Sequence, residues 1–168
     1  STSPTMTISS STVNSGETSN DSTISLTFTS SESTTNFVKD DITISGGSLS
    51  SLSGSGTTYT ATLTPSGDAT YTISVAQNKF TDSSGNNNSA SNTFTWTYDS
   101  TAPIITGVTL ASDNSTITVT FSETVWNYDV NSSGSLEVTD FVFELSGGTA
   151  SLSSTTPSSI SINGTEYT

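Results

Sequence analysis

Apolar residues in the first hundred positions come in short runs that alternate with polar ones. Thr5–Ile8 (TMTI) alternates, and Thr23–Thr29 (TISLTFT) puts Ile24, Leu26 and Phe28 on one face. Asp41–Ser45 (DITIS) joins Ile42 with Ile44, and Tyr59–Thr64 (YTATLT) joins Tyr59, Ala61 and Leu63. Thr70–Val75 (TYTISV) groups Tyr71, Ile73 and Val75, and Thr93–Tyr98 (TFTWTY) groups Phe94, Trp96 and Tyr98. A period of two marks antiparallel strands with one face buried and one wet. Turn formers separate the runs, at Gly46-Gly47, Pro65-Ser66-Gly67-Asp68 and Asp82-Ser83-Ser84-Gly85-Asn86. No apolar stripe of helical period has a useful length. About seven short strands in about a hundred residues predict a two-sheet sandwich.

The pattern then restarts. Asp99-Ser100-Thr101-Ala102-Pro103 reads as a linker stiffened by its proline, and Ser1-Thr2-Ser3-Pro4 looks like the tail of another. Ser115–Phe121 (STITVTF) mirrors Ser22–Phe28 (STISLTF), and Asp140–Gly148 (DFVFELSGG) mirrors Asp40–Gly47 (DDITISGG). Glu166-Tyr167-Thr168 mirrors Thr58-Tyr59-Thr60. This is an internal repeat of roughly 100 residues. By this alignment the second copy lacks about three final strands, those matching Tyr59–Thr64, Thr70–Val75 and Thr93–Tyr98. Two explanations are open: the chain is a piece of a longer array, or another chain supplies the strands. Head-to-tail completion of the second kind would propagate into a fibre.

Composition narrows the chemistry. Ser and Thr number 38 and 35, and Thr suits a pleated surface. Hydrophobic residues are only 29%, but they are grouped, and charge is too sparse for ordinary disorder. With no Cys and no His, disulfides, thiolates and the usual general base are excluded. Fifteen acids against two lysines give a net charge of -13. Nucleic acid is therefore a poor partner, and so is an anionic membrane. No run of about 18 apolar residues spans a membrane, so no membrane insertion is expected. The chain begins at Ser1 with no signal peptide, which suggests processing or a longer parent.

Phe80-Thr81-Asp82-Ser83-Ser84-Gly85-Asn86 followed by Thr93–Pro103 resembles the closing strands and linker of bacterial Ig-like repeats. Thr118–Val125 (TVTFSETV) resembles the second strand of the same family. The resemblance covers residues 1–103 and the front of the second copy, which departs by an insertion at Asn127–Val138. It implies an all-β fold of tandem immunoglobulin-like antiparallel β-sandwiches, the second incomplete within this chain. The expected domains are 1–100, complete, and 101–168, short of its last strands. The resemblance also implies a non-catalytic, extracellular or cell-surface role as a spacer or stalk in an adhesin or fibre. The alternative is a module that binds a glycan or a protein through loops of the second domain.

Several residues are candidates for sites. If strands alternate direction, loops gather at two poles, and Asp21, Asp68, Asp99 and Glu123 should fall at the joint. Calcium takes six to eight oxygens and suits such acids. The resemblance agrees, since related arrays are often rigidified by calcium. Asp82–Asn86 lacks the spaced acids and closing Glu of an EF-hand and reads as a turn. Five positions fit the N-glycosylation acceptor motif: Asn20, Asn87, Asn114, Asn131 and Asn163, about the number chance gives. Trp96 alternates within a strand and reads as core. Trp126, just before the insertion, and Tyr128, within it, are candidates for ligand contact. Expected partners are neighbouring repeats or subunits completing residues 102–168, and glycans.

Overall fold

The computed structural model describes residues 2–126, 134–144, 146–147, 149, 151 and 153–168. Two compact units divide the chain, Ser1–Thr101 and Ala102–Thr168. Among the described residues the regular structure is β-strand with two 3-10 turns. None of the described helices is long and apolar enough to cross a membrane.

The first unit is a two-sheet sandwich. Its strands are β1 (Met6–Ser10), β2 (Thr18–Ser19), β3 (Ile24–Thr34), β4 (Ile42–Ile44), β5 (Ser48–Leu49), β6 (Ser53–Thr64), β7 (Ala69–Val75) and β8 (Phe94–Tyr98). One sheet runs β1-β3-β6-β5 and the other β2-β8-β7-β4. That is the strand order of an immunoglobulin-like fold. The pairing departs from an all-antiparallel plan at one place: Thr18–Ser19 lies parallel to Thr97–Tyr98. The chain crosses from β4 in one sheet to β5 in the other through Gly47, whose φ is +71°. A Cβ there would stand 2.5 Å from the Thr64 carbonyl oxygen, so only glycine fits the crossing.

Alternation decides what is buried. Ile24, Leu26, Phe28, Leu63, Ile73 and Trp96 are each fully buried. Loops add Val13, Phe37 and Phe80 to the same core. Phe37 packs edge-on against Tyr59 and Phe80, with ring centres 5.2 and 5.3 Å apart. The outward positions are almost all hydroxyl-bearing. Thr7 faces Thr29, Thr27 faces Thr60, Thr29 faces Thr58 and Thr72 faces Thr95. Such pairs stabilise a sheet by about 0.2–1 kcal/mol each and expose no charge.

The second unit contains β9 (Ile105–Leu110), β10 (Ile117–Phe121), β11 (Ile162–Asn163) and β12 (Glu166–Tyr167). Their order, β11-β12-β10-β9, repeats β5-β6-β3-β1 of the first unit. Glu166–Tyr167 pairs with β10, so the strand matching β6 has already begun. The two 3-10 turns also correspond. Asp41 accepts from the Val38 N–H at 2.9 Å, and Asp140 from the Glu137 N–H at 2.8 Å.

Pairing corrects the sequence alignment of the two copies by two residues. Matching STISLTF to STITVTF sets Phe121 on Phe28. The structure instead sets Val119 on Phe28, because Phe28 faces Tyr59 and Val119 faces Tyr167. The Tyr59 hydroxyl donates to the Thr34 carbonyl at 2.8 Å, and the Tyr167 hydroxyl to the Val125 carbonyl at 3.1 Å. Each acceptor lies six residues beyond the strand partner. The entry of each unit agrees. Thr5 N–H donates to Ser31 Oγ at 2.9 Å, and Ile104 N–H to Ser122 Oγ at 3.0 Å. A valine and a phenylalanine are interchangeable to an alternation count, so only hydrogen bonding reveals the register.

Candidate functional site

The best-organised polar site lies where the first unit ends. Asp68 sits in the turn between β6 and β7. Its Oδ1 accepts from the Ser100 N–H at 2.9 Å and from the Ser100 hydroxyl at 2.8 Å. Its Oδ2 accepts from the Thr101 hydroxyl. Those donors, the Thr101 hydroxyl first, hold the Asp68 carboxyl below the usual carboxylate range. The neighbouring Asp99 N–H donates to the Ser19 carbonyl at 3.1 Å, and the Asp99 carboxylate accepts from the Thr101 N–H at 3.1 Å. The start of the linker is therefore tied to the β6–β7 turn and to β2.

The same turn carries a tyrosine corner. The Tyr71 hydroxyl donates to the Gly67 carbonyl at 2.7 Å and accepts from the Ser66 N–H at 2.9 Å. This contact, four residues back along the chain, is a hallmark of the immunoglobulin-like sandwich. It stiffens the loop from which Asp68 projects. Tyr71 also packs against Trp96, 5.7 Å between ring centres. Trp96 is core as expected, and its indole N–H donates to Ser19 Oγ at 2.9 Å.

Of the four acids expected at a calcium site, Asp21, Asp68 and Asp99 belong to the first unit and Glu123 to the second. Asp68 accepts from Ser100 and Thr101. Among the described residues no group of three or more acids is placed to hold a metal. Asp82–Asn86 is a turn: Asp82 Oδ1 accepts from the Ser84 and Asn86 N–H groups, both at 2.8 Å.

Asn20, Asn87, Asn114 and Asn163 are all exposed. Trp126 is exposed over 61% of its surface. Tyr128 and Asn131 lie outside the described residues. Lys39 Nζ donates to the Leu49 carbonyl.

Sequence reasoning missed one polar anchor, Asn88. It is 2% exposed. Its Oδ1 accepts from the Lys79 N–H at 2.7 Å and the Phe80 N–H at 3.0 Å. Its Nδ2 donates to the Ala76 and Ser89 carbonyls at 2.8 and 2.7 Å. One side chain thus replaces a stretch of strand ladder between β7 and β8. Within Asn86-Asn87-Asn88 nothing in the sequence distinguishes it from its neighbours.

A family model described as bacterial Ig-like domain matches residues 1–98. Domains of this description are typically non-catalytic structural modules and commonly occur in surface proteins. No curated protein and no solved structure matches the chain. The family match spans more than half of the chain and covers the strands, the tyrosine corner and the core of the first unit, so the chain belongs to the bacterial Ig-like domain family.

Proposed function

We propose that the chain is a spacer module of an extracellular surface adhesin or fibre, in which repeats follow one another end to end. The observation that carries this reading is the Asp68 clamp. A module whose task is length and direction needs a fixed exit. Here one carboxylate takes three hydrogen bonds from the two residues that leave the sandwich. The outer faces of the first unit's strands fit the same role, since they present rows of threonine hydroxyls. The test is Asp68→Ala with spin labels at Thr7 and Thr118, one in each unit. The label-to-label distance distribution is expected to broaden. An unchanged distribution discards the clamp as the device that sets direction.

Calcium enters this proposal as a stiffener of the joint, with Asp21, Asp68, Asp99 and Glu123 as candidate ligands. Melting with calcium and with a chelator tests it. A lower melting temperature in chelator supports the ion, and equal temperatures remove it from the proposal.

A second reading has one observation in its favour, the exposed indole of Trp126. Exposed aromatic rings stack on sugars and anchor protein contacts. Selective binding on a glycan array, abolished by Trp126→Ala, would establish this second reading in place of the spacer role.

A further inference from the structure

Of the twelve asparagines in the chain, Asn163 alone is followed by a glycine. It ends β11, and Gly164-Thr165 is the two-residue loop that turns the chain into β12. Gly164 has a φ of +62°, the left-handed backbone that such a loop needs at its first position. Nothing stands within 4 Å of the place a Gly164 Cβ would take, so the tip of the hairpin is clear of the rest of the chain. Asn163 is exposed, and no hydrogen bond engages its carboxamide. Other asparagines spend theirs: Asn14 on Glu17, Asn36 on Thr81, Asn88 on Ala76 and Ser89, and Asn92 on Ile8.

The first unit contains the same turn without the amide. With Tyr167 set on Tyr59, Ser161–Thr168 (SINGTEYT) falls on Ser53–Thr60 (SGSGTTYT). Gly164 then matches Gly56, whose φ is +70°. Asn163 matches Ser55, which is exposed in a unit whose later strands β7 and β8 are both in place. Exposure therefore belongs to the turn and not to its distance from the end of the chain. The two turns differ in chemistry. A serine offers no acyl carbon to the next peptide nitrogen, whereas an asparagine does, and a following glycine has no Cβ to shield that nitrogen. An extended backbone at Asn163 keeps the two atoms apart, but β11 is a two-residue edge strand whose one neighbour in the sheet is β12. Such an end opens locally at little cost.

We infer that Asn163-Gly164 is a site of self-modification, with water as the co-reactant, that loosens β12 as the protein ages. The Gly164 nitrogen bonds to Asn163 Cγ and gives up its proton, and the carboxamide nitrogen leaves as ammonia. Water then opens the cyclic imide at either carbonyl. Opening on one side leaves an ordinary aspartate. Opening on the other leaves isoaspartate, in which the main chain runs through Cγ and the loop is one methylene longer. That loop sets the pairing of Asn163 with Glu166 and of Ile162 with Tyr167. Tyr167 in turn holds the Val125 carbonyl and stacks on Phe121. A lengthened loop therefore acts on the anchor of β12.

Ageing the full chain at mildly alkaline pH and 37 °C tests this. Peptide mass spectrometry is expected to find the amide-to-acid mass change at Asn163 ahead of the equally exposed Asn20 and Asn87. Labelling by an isoaspartyl methyltransferase is expected to rise in step, and to be lost in Asn163→Ser, which copies the turn of the first unit. Conversion of Asn20 or Asn87 while Asn163 stays intact overturns the inference. So does aspartate at Asn163 without isoaspartate, which would mean direct hydrolysis, and so does labelling that Asn163→Ser leaves unchanged. The isoaspartate fraction, separated by its added charge, is expected to exchange its Glu166 and Tyr167 amides about tenfold faster than the intact fraction. Equal exchange in the two fractions overturns the loosening of β12.

Discussion

At the scale of single residues, stability depends on hydroxyl, amide and carboxylate groups placed one at a time. Ser30 is the exception among the described residues. It is 3% exposed and its hydroxyl has no partner. In the second unit the equivalent position is Phe121, which stacks edge-on against Tyr167 with ring centres 5.4 Å apart. A buried unpaired hydroxyl costs about 1–3 kcal/mol, so Ser30→Ala should stabilise the first unit by about 1 kcal/mol. Urea unfolding followed by tryptophan fluorescence checks this; a lower midpoint would show that the hydroxyl has work to do. Tyr71→Phe removes the corner hydrogen bonds and should cost about 1–2 kcal/mol in the same assay. The acids set the pH response. Donors hold Asp68, Asp82, Glu17 and Asp113 below the usual carboxylate range, the Thr101 hydroxyl acting first on Asp68 and the Asn86 amide on Asp82. On acidification the unfolded chain takes up protons before these groups do in the folded state. Their stabilisation is therefore present above about pH 5 and is lost as pH falls below about 4. Melting temperature should be flat from pH 8 to 5 and decline below, and Asp82→Asn should lessen the decline.

At the scale of elements, alternation made legible the strands that carry at least two alternating apolar residues, including the short Met6–Ser10 and Ile42–Ile44. The runs around Ile73 and Trp96 are strands at nearly the expected bounds, and the strand around Leu26 runs on past Thr29 to Thr34. The two-residue strands β2 and β5 were not legible, since a pair such as Thr18–Ser19 has no period to read. The strand β6 begins at Ser53 rather than Tyr59, because Ser53-Gly54-Ser55-Gly56 carries no apolar residue. Loop residues of the core were equally hidden. Phe37 and Phe80 fall outside any run, yet they close one end of the sandwich. The Asp68 clamp was half legible. Placing Asp68 beside the linker followed from strands that alternate direction, but the pole argument gave the carboxylate to a metal. The structure shows the carboxylate accepting from Ser100 and Thr101, a contact invisible in the sequence because no period marks hydroxyl donors in a linker. Trp96→Ala should be the most damaging single change in the unit, by about 3–5 kcal/mol, measurable as a loss of cooperative unfolding at ambient temperature.

At the scale of the molecule, one sheet plan is written twice, and the second writing differs in how its first hairpin is closed. In the first unit β1 and β3 are joined by residues 11–23, which contain β2. In the second unit β9 and β10 are joined by residues 111–116 alone. The Ala111 N–H donates to the Thr116 carbonyl at 2.9 Å, closing that shorter turn. No strand like β2 can be delivered from it. A sheet completing the second unit would keep a free edge where the first unit has Thr18–Ser19. The interior offers a separate consequence. Its buried polar anchors are Asn88, Thr34 and Asp82, with Tyr59 and Tyr71 supplying phenols. No thiol and no imidazole is present anywhere in the chain. The amide and hydroxyl anchors do not titrate near neutral pH. The latch that replaces a strand ladder at Asn88 is an amide, so that part of the interior holds its hydrogen bonds unchanged across the neutral pH range and needs no thiol kept reduced or oxidised.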